Sequence, residues 1–201
     1  MNTSLQNLID RQRQRMRELR EDARDLANTV AREVWNRFKD EVEETTADGY
    51  MFDMAEITQM ALTSSLALNY DEVFERHVLS LFERLEQELR EAGVSEATLN
   101  VAGLDLSGLR SGLKLRSHAE ELIGQAIRRA KPGLIGMLFR SSDPASDSWD
   151  RELRENASRL RSNLLGLQEQ IVEAIRDETL AVIQSARLAY SDMLDGLHPS
   201  A

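Results

Sequence analysis

Leu153-Arg154-Glu155-Asn156-Ala157-Ser158-Arg159-Leu160-Arg161-Ser162-Asn163-Leu164-Leu165-Gly166-Leu167-Gln168-Glu169-Gln170-Ile171-Val172-Glu173-Ala174 carries the clearest periodicity in the chain. Its apolar positions Leu153, Ala157, Leu160, Leu164, Leu167, Ile171 and Ala174 alternate fours and threes, with charged and amide residues between them. That spacing keeps one narrow seam on a single side of an α-helix, facing a partner helix. A helix from Trp149 to Leu194 is the simplest reading, with the seam continuing less strictly through Leu180, Ala181 and Leu188.

The same pattern appears at the other end of the chain. Met16, Leu19, Ala23, Leu26 and Val30 repeat the alternation, and Val34, Phe38 and Val42 extend it. Thr3 with Gln6 has the form of a capping box. Neither Gly nor Pro interrupts the segment before Asp48-Gly49, so one helix of over forty residues, ~65 Å long, is expected. The run Arg11, Arg13, Arg15, Arg17, Arg20 and Arg24 is interleaved with Asp10, Glu18, Glu21, Asp22 and Asp25. Spacings of three and four favour a solvated, salt-bridged face over a surface that holds phosphates or acidic lipid heads. Trp35 is read as packed.

Between these ends lies a second helical region. Asp53 with Glu56 caps its start, and Asn69 with Glu72 repeats the pattern, which predicts a break near Asn69. Ile57 to Tyr70 contains no charged residue, implying burial between helices or, as the lesser alternative, contact with lipid by a segment too short to span. The stripe Phe74, Val78, Leu81, Leu85, Leu89 follows, and Gly93 is placed to end the helix.

The stretch from Thr98 to Arg140 differs in kind. It holds six of the ten glycines and seven Lys and Arg against three Asp and Glu, in a chain whose net charge is -10. Residues 94 to 116 fit either a small hairpin or an irregular helix, the latter preferred. Ser117 with Glu120 forms a capping box for a helix ending at Lys131, before Pro132-Gly133. Residues 141 to 148 read as a polar loop.

The fold expected is therefore all-α: one domain over 1-201, an elongated antiparallel bundle of three long helices and one shorter, with coiled-coil-like packing. A Gly-rich, basic and apolar tip module at 94-140 belongs to it. At 201 residues a compact shape would bury ~70% of the unfolded surface. Aromatic residues are 5% of the chain and charged residues 30%, which suits helices packed through aliphatic side chains better than sheets.

Several chemistries are excluded or unsupported. No cysteine is present, so disulfides and thiolates play no part. His77, His118 and His198 lack partners at metal-ligand spacing, and no phosphate-binding glycine loop or nucleophile constellation occurs. The expectation is a non-enzyme with no cofactor, no metal and no small-molecule substrate. The acidic balance argues against nucleic acid as a partner. The start of the chain lacks the form of a signal peptide, so a cytoplasmic location is the expectation, possible membrane contact being peripheral only.

What remains is the tip. Leu134, Ile135, Met137, Leu138 and Phe139 each gain ~1.5 to 3 kcal/mol on leaving water. Arg128, Arg129, Lys131 and Arg140 form a basic collar around them, each worth ~1 kcal/mol beside anionic lipid. The pattern predicts a scaffold or stalk that meets an anionic membrane surface or a protein partner through these nine residues. Two other readings stand beside it. The apolar run folds back to close the bundle, or the chain is a coiled-coil module for oligomerisation or protein binding with no membrane contact.

Overall fold

The computed structural model describes residues 3-47, 55-95, 99, 113-130 and 147-197. Those residues are all-helical, 94% helix with no strand. Helix α1 runs Thr3–Thr45, α2 Ala55–Phe74, α3 Ser80–Glu91, α4 Leu113–Ala130, α5 Asp147–Leu165 and α6 Gln168–Gly196. A π-helical turn, Glu75–Leu79, joins α2 to α3 without leaving the helix. The expected single helix of over forty residues is α1, with 43.

The chain divides into two compact units. Unit 1 comprises Met1–Ala31, Asp71–Gly112 and Ile175–Ala201; unit 2 comprises Arg32–Tyr70 and Leu113–Ala174.

In unit 1 the core residues of α1 are Ile9, Met16, Leu19, Ala23, Ala27 and Val30, all buried. The seam thus extends one heptad earlier than the apolar residues alone suggest, because Gln12 occupies a seam position and is completely buried. Further along, Ala27 is buried in place of the expected Leu26, which is only half-buried. Gln12 Nε2 donates to the Leu85 carbonyl at 2.8 Å, and its Oε1 accepts from the Tyr190 hydroxyl, also at 2.8 Å. Phe82 meets the Tyr190 ring edge-on, with centroids 5.9 Å apart.

In the basic run of α1 two of the six arginines, Arg13 and Arg15, form ion pairs, and their partners lie mostly on other helices. Arg13 contacts Asp10 at 3.3 Å and Asp195 at 2.9 Å, and Arg15 contacts Glu88 at 2.8 Å.

The break expected near Asn69 falls later. Asn69 Nδ2 donates to Ser65 Oγ at 3.3 Å, one turn back on the same helix, so its side chain joins the helix surface instead of capping a new one. The irregularity comes at Glu75–Leu79, where the Ser80 N–H reaches five residues back to the Glu75 carbonyl. At the end of α3, Gly93 takes φ +91. Val94 N donates to the Leu89 carbonyl and Gly93 N to the Arg90 carbonyl, both at 3.0 Å. This pair of bonds is a Schellman closure, and glycine fills its left-handed position without steric cost.

In unit 2 the buried set includes Val34, Trp35, Phe38 and Val42 of α1, Leu62, Leu66 and Tyr70 of α2, and Ile123 and Ile127 of α4. Ala157, Leu160 and Leu164 of α5 and Leu167 and Ile171 beyond it belong to the same set. Trp35 is packed as expected, tilted against Phe38 with centroids 5.8 Å apart. Asn163 Nδ2 donates to the Ala126 carbonyl at 3.1 Å, tying α5 to α4. Arg161 pairs with Glu43 of α1 at 3.1 Å.

The final segment is not one helix. Gly166 and Leu167 form a turn between α5 and α6, where Leu167 N donates to the Leu164 carbonyl only three residues back. Glycine has weak helix propensity, and the local tightening interrupts the ladder there. Beyond the turn the buried stripe is Ile171, Ile175, Thr179, Ile183, Ala186 and Tyr190. Ala174 and Leu180 are half-buried, Ala181 is exposed and Leu188 is 53% exposed, which corrects the seam read from sequence. Fours dominate this stripe, so it wraps around α6 instead of following a strict heptad.

Helix α4 starts four residues before Ser117, which therefore sits inside the helix and caps nothing. Its end at Ala130 agrees with the Pro132-Gly133 stop to within one residue. The hairpin-or-helix choice over 94-116 and the tip residues 131-140 fall largely outside the described residues.

Candidate functional site

The uncharged segment Ile57 to Tyr70 is buried on one side only, contrary to the expectation of burial between helices. Thr58, Leu62, Leu66 and Tyr70 face the core of unit 2. Ile57, Met60 and Leu68 on the opposite side are 61%, 70% and 63% exposed, with Ala61 and Ser64 exposed between them. Positions 57, 60, 61, 64 and 68 share one face at helical spacing. The reason is compositional: a surface helix gives its charged side to water, and from Ile57 to Tyr70 this one has no charged residue to give.

Along the edge of this face, α2 and α4 enclose a groove of about 310 Å³. Glu56, Gln59, Met60, Thr63 and Ser64 line it from α2, and Arg116 and Glu120 from α4. Gln59 Nε2 donates to the Glu120 carbonyl at 3.2 Å and so bridges the two helices. Room for that bridge comes from Gly124, which is buried; a Cβ there would lie 2.8 Å from Gln59 Nε2. Thr63 is only 5% exposed, and its hydroxyl has no hydrogen-bond partner. Glu56, Arg116 and Glu120 are exposed, and among the described residues no ion pair within 4 Å engages them.

A wider crevice of about 590 Å³ lies along Ser80, Glu83, Arg84, Glu86, Gln87 and Arg90 in unit 1. All its lining comes from one helix, so no second element converges a group upon it. Glu86, within it, has its carboxyl raised above the ordinary Glu value of 4.5 by burial, which the charge of Arg90 only partly offsets, with a smaller rise from Glu83. Glu88 is shifted the opposite way. A hydrogen bond from Arg15 outweighs the effect of burial and, with a lesser one from Gln12, holds it below the same value. Burial raises the Tyr190 hydroxyl far above its ordinary range, with Glu86 and Glu88 adding to the effect, so it stays a protonated donor.

Of the nine residues read from sequence as the contact, Arg128 and Arg129 are exposed in the last turn of α4. Lys131, Leu134, Ile135, Met137, Leu138, Phe139 and Arg140 lie outside the described residues. The groove and the α2 face were not anticipated; the absence of charge over fourteen residues was their only trace in the sequence. Among the described residues, no group of three His, Asp or Glu is placed to hold a metal, and no helix is long and apolar enough to cross a membrane.

Compared with known proteins, the chain matches no family model, no curated protein and no solved structure.

Proposed function

We propose that this protein is a non-enzymatic helical scaffold that docks another protein, with its helices packed as an antiparallel, coiled-coil-like bundle. The observation that carries the reading is the uncovered stripe Ile57, Met60 and Leu68 on α2. Each side chain gains ~1.5 to 3 kcal/mol when fully withdrawn from water, and three at helical spacing fit a partner helix laid along them. Alternating seams in α1 and α5 support the coiled-coil packing. Site-specific photo-crosslinking in cells tests the docking. A crosslinker at position 60 is expected to trap a discrete polypeptide that a crosslinker at exposed Arg20 does not, and no adduct at position 60 refutes it.

A second reading, contact with an anionic membrane through Arg128, Arg129 and residues 131-140, is favoured by the exposure of both arginines at the end of α4. Co-sedimentation with anionic and neutral vesicles tests it. Binding that Leu134→Asp/Phe139→Asp abolishes without loss of helicity supports it, and indifference to both vesicle types removes it.

A further inference from the structure

We propose that the partner of the α2 face is an amphipathic helix carrying a Lys or Arg beside its apolar stripe, and that this cation enters the groove between α2 and α4. The inference rests on the docking reading above and names the chemistry of what docks.

Three features of unit 2 converge on it. The first is geometric. Ile57, Met60 and Leu68 are uncovered at positions that accept anchors spaced three, four and seven residues apart on a partner helix. The second is electrostatic. The groove beside that stripe offers two carboxylates, Glu56 and Glu120, against one guanidinium, Arg116, and no ion pair among the described residues neutralises them. One added positive charge balances the site. The third is a hydrogen-bond deficit. Thr63 lines the same groove, is 5% exposed, and keeps its hydroxyl unpaired. That oxygen is closed to solvent, so the entering ammonium or guanidinium must spread the groove wall to reach it, and an N–H donating to Thr63 Oγ1 then satisfies a polar atom that is otherwise costly to bury. Met60, at the junction of stripe and groove, is unbranched and can shift to admit the incoming stem.

The same features argue against the other occupants. In a symmetric pair of copies, the facing surface brings the same two carboxylates and one guanidinium, so two sites of like net charge meet and neither is neutralised. An anionic lipid surface would bring phosphate against Glu56 and Glu120, where like charges repel.

The test uses the full chain and a synthetic amphipathic Leu/Lys peptide of about 18 residues, long enough to form a helix on binding. Its counterpart has the single groove-side Lys replaced by norleucine. Fluorescence anisotropy gives affinities, and amide shift changes map the site. The Lys peptide is expected to bind roughly tenfold more tightly than the norleucine peptide, with shifts along α2 and α4. Glu56→Gln/Glu120→Gln is expected to remove that difference, and Met60→Glu to weaken both peptides at least tenfold. These substitutions are at exposed positions, and circular dichroism checks each fold. Thr63→Val is isosteric; it is expected to lose part of the Lys preference while leaving norleucine-peptide binding unchanged.

Equal affinity for the two peptides, or a preference that survives Glu56→Gln/Glu120→Gln, overturns the proposal. So does a concentration-dependent dimer, or binding to anionic vesicles, that Met60→Glu abolishes. If both peptides fail while the crosslinker at position 60 still traps a polypeptide, the partner chemistry is wrong and the docking reading stands. If the crosslinker also traps nothing, both fall.

Discussion

Tyr190 donates its hydroxyl to Gln12 Oε1 at 2.8 Å, and both residues are fully buried, 178 positions apart in the chain. The same carboxamide donates to the Leu85 carbonyl, so one side chain satisfies groups on two other helices of unit 1. Truncating either partner leaves a buried polar atom orphaned. Tyr190→Phe and Gln12→Leu are each expected to lose ~1 to 3 kcal/mol in urea unfolding. The double variant is expected to lose clearly less than their sum, since it removes both polar ends together. Simple additivity would mean that the two groups are not coupled.

Two carboxylates two residues apart on one helix titrate with opposite consequences. Glu88 is held below 4.5 by Arg15 and Gln12, so its contribution is present above that value and lost as pH falls through its folded value. Glu86 is raised above 4.5 by burial, so folding favours its protonated form and stability declines as pH rises through its folded value. Melting temperature against pH separates them. Glu88→Gln is expected to lower stability near neutrality and flatten the acid limb, whereas Glu86→Gln is expected to gain on wild type as pH rises above the ordinary Glu range.

Gly93 and Gly124 are both adjacent to helix-determining contacts, and alanine is expected to act oppositely at them. At Gly93 the φ of +91 strains any L side chain, and Gly93→Ala is expected to cost ~1 to 2 kcal/mol. At Gly124 the helix gains ~1 kcal/mol of propensity, while the new methyl displaces the flexible end of Gln59. Gly124→Ala is therefore expected to stay near wild type in stability yet lose the Gln59 bridge to Glu120, visible as shift changes confined to the groove.

Thr179 has no exposed surface, and its hydroxyl has no partner. Thr179→Val keeps the shape and removes the unpaired group, so thermal unfolding is expected at a higher temperature, by ~1 kcal/mol of added stability. An unchanged or lower melting point would show that the hydroxyl is satisfied in solution.

The sequence was most legible where apolar residues alone define a seam, as from Met16 to Val42. It was least legible where a seam position is polar: Gln12 and Thr179 both sit fully buried in stripes that a hydrophobic count passes over. Gly166 escaped because Leu164 and Leu167 keep perfect heptad spacing across it, although the backbone turns there. Asn69 misled because the same side chain that caps a helix can also bond back to Ser65 within one. The α2 face was hidden for a related reason. Fourteen uncharged residues imply burial all round, and only the packing reveals which half is left in water.

The π turn at Glu75–Leu79 gives this helix a tolerance that its neighbours lack. Such a turn holds one residue more than the α-helical path needs, and the residues beyond it keep the phase of those before it. Deleting one residue inside it converts the turn to ordinary α-helix and leaves Phe82, Leu85 and Leu89 pointing at the core. The same deletion in the middle of α1 swings every later side chain by about 100° around the axis. The turn is thus the place where this chain can change length without changing register.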